Sequence, residues 1–267
     1  MTYKMIVLDM DDTLLQDDHT ISAETAEALL AAQEKGIKVV LASGRPTFGM
    51  WDTANELRLA DYGSYILSYN GANIFNAKTK ELLFESTLSP ETVHHLYDLS
   101  QRENVGIQTY VNEAILTPQD NEYTQIESTL TGLPVALTDD FKKAVDSPVV
   151  KVLMLEEGSV LEKVEKTLKA ELAGTLSVYR SKPYFLEFTE HGVTKGTSLE
   201  QLGKKLGIDR SEIIAVGDSY NDLEMIQYAG LGVAMGNAPA DIQEAADFVT
   251  KSNMEHGVAH VVKKFLL

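Results

Sequence analysis

Near the start of the chain, three short runs carry apolar residues at consecutive positions rather than at every second one: Met5-Ile-Val-Leu, Lys38-Val-Val-Leu-Ala and Tyr65-Ile-Leu-Ser. That pattern belongs to strands buried on both faces, as in parallel sheets. Between the first two, residues 22–35 set Ala26, Leu29, Leu30 and Gln33 at helical spacing. Ser22 fits the N-cap, Glu24 favours the helix start and Gly36 fits the stop. Strand, helix and strand in that order form a βαβ unit, which predicts an α/β fold with a doubly wound parallel sheet. The last third repeats the theme. It predicts helices over 194–206, 222–228, 240–245 and 257–265, with strands at 212–216, 230–234 and 247–250.

The middle of the chain has another rhythm. Residues 73–85 alternate around Asn76-Ala-Lys-Thr-Lys, a hairpin signature. Beyond it the pattern predicts helix 90–103, strands 107–110 and 114–117, helix 122–130, and a strand or loop. A short helix at 139–145, strand 149–155, helix 160–172 and strands 175–180 and 185–189 complete the segment. The expected organisation is a Rossmann-like core built from 1–85 and 190–267, with a self-contained α/β domain of residues 86–189 inserted between its halves.

Composition narrows the function. The 267 residues correspond to about two ordinary domains, long enough to bury a core without staples. There is no cysteine, which excludes disulfides, thiolate zinc sites and a cysteine nucleophile. Forty acidic against 23 basic residues give a net charge of −17. Neither nucleic acid nor an anionic membrane is an expected partner, since both need a positive face. No run approaches the ~18 apolar residues of a membrane span. The N-terminal run Met1-Thr-Tyr-Lys-Met-Ile-Val-Leu-Asp is too short for a secretory signal, so a cytoplasmic location is expected.

Chemistry concentrates where the buried strands end. Directly after the first comes Asp9-Met10-Asp11-Asp12-Thr13-Leu14-Leu15. In an open α/β sheet, ligands bind at the carboxyl ends of strands. Residues two apart in extended chain point to one side, so Asp9 and Asp11 form a carboxylate pair that a hard cation such as Mg²⁺ would compensate. A solvated acidic loop has the same appearance. A second strand-to-acid transition, Ile213-Ile-Ala-Val-Gly-Asp218-Ser-Tyr-Asn221-Asp222, strengthens the metal reading. Asp218 leaves the strand and Asp222 follows one helical turn later, although Asp218 as a helix cap fits too. Ser43-Gly44-Arg45-Pro46 ends the second strand with a hydroxyl and N–H groups suited to phosphate, or with a simple turn. Lys195 opens a helix against its dipole, as a lysine facing an anionic site would. Isolated lysines are mostly solvated, however.

Taken in order, DMDDTLL, Ser43-Gly44-Arg45, Lys195 and Gly217-Asp218-Ser-Tyr-Asn221-Asp222 resemble the four motifs of the haloacid dehalogenase-like phosphohydrolases. The Cof-type branch is the most similar, with its α/β cap inserted between the second and third motifs. Asn70-Gly-Ala, Val233-Ala-Met-Gly-Asn-Ala and Glu255-His-Gly-Val add to the likeness, which spans the whole chain. One departure is Asp12, where many members have glycine.

The resemblance implies a phosphatase for small phosphorylated metabolites, sugar phosphates among them, with Asp9 as the nucleophile that forms an aspartyl-phosphate. Asp11 would be the acid and base for the leaving group and the water. Mg²⁺ would be held by Asp9, the Asp11 carbonyl and Asp218, with Asp222 ordering the surrounding waters. Ser43, Lys195, Asn221 and the N–H groups of Met10 and Gly44 would hold the phosphoryl oxygens. Arg45 fits either a substrate contact or a pair with nearby acids. His94 and His95, being adjacent on one helix, cannot share a metal. A phosphotransferase or mutase using the same phosphoaspartate is the alternative. A non-catalytic Mg²⁺- and phosphate-binding protein is a third reading, against which the paired Asp9 and Asp11 argue.

Overall fold

The computed structural model describes residues 3–267, so the first two residues of the N-terminal run lie outside the described residues. From the N-terminus, β1 (Met5–Leu8), α1 (Ala23–Glu34), β2 (Lys38–Ala42), α2 (Trp51–Glu56), β3 (Tyr65–Ser68), β4 (Asn73–Asn76) and β5 (Leu82–Glu85) follow one another. The middle adds α3 (Pro90–Glu103), β6 (Gly106–Val111), β7 (Ala114–Thr117), α4 (Glu122–Thr131), β8 (Val135–Leu137), α5 (Phe141–Ala144), β9 (Val152–Leu155), α6 (Gly158–Glu171), β10 (Leu176–Lys182) and β11 (Phe185–Glu190). The chain closes with α7 (Lys195–Leu206), β12 (Ile213–Gly217), α8 (Leu223–Tyr228), β13 (Leu231–Ala234), α9 (Ala240–Ala245), β14 (Phe248–Val249) and α10 (Gly257–Phe265). Two compact units result. One combines the segments up to Phe84 and from Thr194, and the other is Glu85–Val193.

In the first unit the strand order is β14-β13-β12-β1-β2-β3-β4-β5. All neighbours from β14 to β3 are parallel, and β4 turns back antiparallel on β3. This is the doubly wound sheet of an α/β fold, extended by a hairpin. Its central strands are buried on both faces because successive side chains alternate between two cores. Ile6, Leu8, Val39, Leu41, Ile214 and Val216 pack with Leu29, Ala259 and Val262. Met5, Val7, Val40, Ala42, Ile213 and Ala215 pack with Leu199, Leu202 and Met225. Ser22 caps α1 by accepting from the Thr25 N–H. That helix buries Thr25, Ala28, Leu29, Ala32 and Gln33, while Ala26 and Leu30 are only half-buried. The buried face is shifted toward Thr25, Ala28 and Ala32 and keeps Leu29 and Gln33, whose amide donates to the Leu57 carbonyl at 2.8 Å.

In the second unit the order is β10-β11-β9-β6-β7-β8, antiparallel except for the parallel pair β7–β8. Helices α3, α5 and α6 cover one face through Val93, Leu96, Phe141, Leu161, Val164 and Leu168. Tyr123 and Ile126 of α4 cover part of the other, against Leu153, Leu155 and Phe185. The open segment after α4 is a strand, β8. The strand expected over 149–155 forms only from Val152, because Val149 exchanges both backbone hydrogen bonds with Leu88 instead. Among the described residues, no helix is long and apolar enough to cross a membrane.

Candidate active site

Strand order reverses at β1. The chain runs outward to β2 and β3 on one side and returns through β12, β13 and β14 on the other. The carboxyl ends flanking such a reversal form the natural ligand crevice of an open α/β sheet. Asp9 follows β1, Ser43 follows β2 and Asp218 follows β12, so three neighbouring strands deliver the three polar turns.

Asp9 continues the extended backbone of β1, and its N–H donates to the Val216 carbonyl at 3.0 Å. The chain then folds into a tight turn. Leu15 N–H returns to the Met10 carbonyl at 2.8 Å, and Met10, Leu14 and Leu15 drive their side chains into the core. Lys195, the first residue of α7, is fully buried. Its Nζ lies 2.5 Å from Asp9 Oδ1 and 2.6 Å from Asp222 Oδ1. The other Asp222 oxygen accepts from the N–H groups of Asp218 and Ser219, both at 3.0 Å. Asp218 therefore caps no helix: Ser219 is the N-cap of this turn, and Asp222 reaches back to its N–H. Asp222 also lies so close to Gly217 that a Cβ there would come within 2.7 Å of its Oδ2. Asp218 Oδ1 accepts from the Thr13 hydroxyl at 2.8 Å. One oxygen each from Asp9, Asp218 and Asp222 falls within 4.8 Å of the others.

Three carboxylates thus face one ammonium, and the proton affinities of Asp9, Asp218 and Lys195 reflect it. Burial, and next the charge of Asp222, push the Asp9 carboxyl well above the ordinary range against the pull of Lys195. Burial pushes Asp218 up to about 6, opposed by the Thr13 hydrogen bond. Burial alone would lower the Lys195 ammonium, but Asp222 and Asp9 outweigh it and hold it above its usual value. The site carries surplus negative charge on hard oxygen donors. That donor set fits a divalent cation of the Mg²⁺ class.

Asp11 lies apart from this cluster. Its half-exposed carboxylate takes a two-pronged contact from Arg45, Nε to Oδ2 at 2.9 Å and Nη2 to Oδ1 at 2.6 Å. Arg45 therefore pairs with an acid, and the metal cluster receives no oxygen from the Asp11 side chain. Ser43 is buried, with its hydroxyl accepting from the Arg45 N–H at 3.1 Å. It caps no helix, since the helical turn begins at Thr47. Asn221 Nδ2 donates to Asn70 Oδ1 at 2.9 Å. His94 lies in the second unit, its Nε2 2.9 Å from the Val145 carbonyl, a packing role. Thr13 and Asn237, whose Nδ2 donates to the Asp12 carbonyl at 2.8 Å, are supports that the sequence reading passed over. Each sits inside a quoted motif, which was the available signal.

Residues 6–262 match the family described as haloacid dehalogenase-like hydrolase. A solved haloacid dehalogenase-like hydrolase from Bacteroides thetaiotaomicron is 43% identical with a TM-score of 0.91, covering 98% of this chain and 99% of that one. The 5-amino-6-(5-phospho-D-ribitylamino)uracil phosphatase YcsE of Bacillus subtilis is 31% identical, covering 99% of this chain and 96% of its own length. The subclass IIB sugar phosphatase BT4131 is 28% identical with a TM-score of 0.82, covering 98% of each chain. The chain belongs to the haloacid dehalogenase-like hydrolases and is an enzyme of their phosphatase kind.

Proposed function

We propose that the protein is a Mg²⁺-dependent phosphatase of small phosphate monoesters, sugar phosphates or related metabolites, and that it works through an aspartyl-phosphate on Asp9. The observation that carries this reading is the buried Lys195 held between Asp9 and Asp222, with Asp218 in the same cluster. Relatives named as a sugar phosphatase and as a phosphoribitylaminouracil phosphatase support the substrate class.

In this reading, Lys195 fixes Asp9 through Oδ1 and leaves the second oxygen to attack phosphorus. Asp11 protonates the departing alkoxide and then takes a proton from the water that hydrolyses the intermediate. Arg45 contacts both oxygens of that carboxylate, so this pair must open before Asp11 carries the proton it gives to the alkoxide. Asp9, Asp218 and the Asp11 carbonyl would hold the cation, which supplies charge that keeps the carboxylates ionised and offsets the phosphoryl oxygens. Asp222 positions Lys195 and the Asp218 turn. Ser43, Lys195, Asn221 and the N–H groups of Met10 and Gly44 hold the phosphoryl group, each such donor contributing about 3–4 kcal/mol at most. The 86–189 segment would act as the cap. Its sheet face that carries Leu153, Leu155 and Phe185 also carries the Lys151–Glu187 ion pair at 3.1 Å.

The test is turnover of a panel of phosphate monoesters by purified protein, with and without chelator, and with product analysis that separates transfer to water from transfer to a second hydroxyl. Asp9→Asn should lose turnover of p-nitrophenyl phosphate by on the order of 10³-fold or more while keeping the wild-type fold by circular dichroism. Substantial residual turnover would remove Asp9 as nucleophile.

A further inference from the structure

The turn Tyr69-Asn70-Gly71 after β3 has three consecutive residues in the left-handed region, with φ of 52°, 55° and 95°. Such a run persists only where its surroundings over-determine it. Here the surroundings are the Ser43-Gly44-Arg45 loop and the start of α7, both proposed to hold phosphate. The Tyr69 N–H donates to the Arg45 carbonyl at 3.0 Å and the Asn70 N–H to the Ser43 carbonyl at 2.9 Å, so the turn is stitched on both sides of Gly44. The Asn70 amide stands 3.3 Å from where a Cβ on Gly44 would lie. The Ser198 hydroxyl donates to the Gly71 carbonyl at 2.7 Å. A Cβ on Gly71 would come within 2.8 Å of the Thr194 carbonyl, so the turn is also fitted to the start of the helix that carries Lys195. Finally, the buried Asn70 accepts from Asn221 through its Oδ1.

We infer that Asn70 is a positioning residue for phosphate binding. Its amide oxygen accepts one N–H of Asn221. Because an amide is planar, that bond fixes the direction in which Asn221 presents its second N–H. Its backbone N–H meanwhile holds the Ser43-Gly44 loop. The inference rests on the proposed roles of Ser43 and Asn221 and adds a residue that lies in none of the four motifs. It also explains the residue type. Glycine would satisfy the left-handed backbone without the amide, alanine would satisfy neither requirement, and asparagine satisfies both.

The experiment measures the affinity for inorganic phosphate by calorimetry, kcat/KM for p-nitrophenyl phosphate, and the melting temperature. The proteins compared are the wild type, Asn70→Gly, Asn70→Ala, Asn221→Ala and the Asn70→Gly/Asn221→Ala double variant. Asn70→Gly should lower kcat/KM and phosphate affinity about ten- to a hundredfold, the range for groups that orient a ligand-holding side chain. The double variant should be no worse than Asn221→Ala alone. Asn70→Ala should melt below Asn70→Gly yet show the same kinetic loss, which a purely structural role would not produce. Wild-type behaviour of Asn70→Gly, losses that multiply in the double variant, a kinetic loss that tracks melting temperature, or a wild type that binds no phosphate would each overturn the inference. A wild type that binds phosphate in an Asn70-dependent way but hydrolyses no monoester would sink the phosphatase reading and leave the positioning role standing.

Discussion

Asp12 sits with φ at 59°, where a Cβ crowds the backbone. Glycine is at ease there and aspartate tolerates it, which gives the glycine of many family members and the aspartate here a common physical cause. Asp12→Gly should keep stability and activity. Asp12→Val should cost about 1–2 kcal/mol, read as a lowered melting temperature. Asp218 makes a prediction with a sign. Its folded value of about 6 lies above the unfolded value of about 3.9. The metal-free folded protein therefore keeps a proton that the unfolded chain has released, and stability falls as pH rises from about 4 to 6. Asp218→Asn should stabilise the metal-free protein by on the order of 1–2 kcal/mol at pH 7 and leave it unchanged near pH 4, in urea unfolding. On the proposed metal site, Mg²⁺ should raise the melting temperature of the wild type and not that of Asp218→Asn. The strand-end positions of Asp9, Ser43 and Asp218 were legible because a buried run followed by a polar residue marks them. The partners were not. Thr13 meets Asp218 across 205 positions and Asn70 meets Asn221 across 151, and such pairings leave no trace in local periodicity.

Among the elements, helix starts were the most legible. Ser22, Ser89, Asn121 and Thr194 all accept from the N–H three residues on, the short-range chemistry that composition displays directly. Which face a helix buries is a tertiary matter, and α1 buries Thr25, Ala28 and Ala32 where Ala26 and Leu30 were expected. The sheet of the second unit hides another feature without a local signal. Lys151 and Glu187 are both buried and paired, with the Tyr179 hydroxyl donating to the same Glu187 oxygen at 3.2 Å. Removing one partner strands the other charge. Lys151→Ala should therefore cost about 3–5 kcal/mol, measurable by denaturant unfolding, and a near-neutral effect would show that water reaches the pair.

Across the whole molecule, the outer thirds announce a parallel sheet through runs apolar on both faces, while the middle announces antiparallel pairing through hairpins and alternation. The two compact units divide after Phe84 and before Thr194. With a net charge of −17, the protein repels anionic substrates at long range, so binding depends on cations and donors within the site. Segments far apart in the chain supply that site, and its purpose in this account is to put one activated carboxylate oxygen in line with phosphorus. The most direct measurement is rapid acid quench of the enzyme during turnover, followed by borohydride reduction and peptide mass spectrometry. Homoserine at position 9, and at no other aspartate, is the predicted result. Turnover that proceeds at full rate with no reduced Asp9, or with the label on another carboxylate, would contradict it.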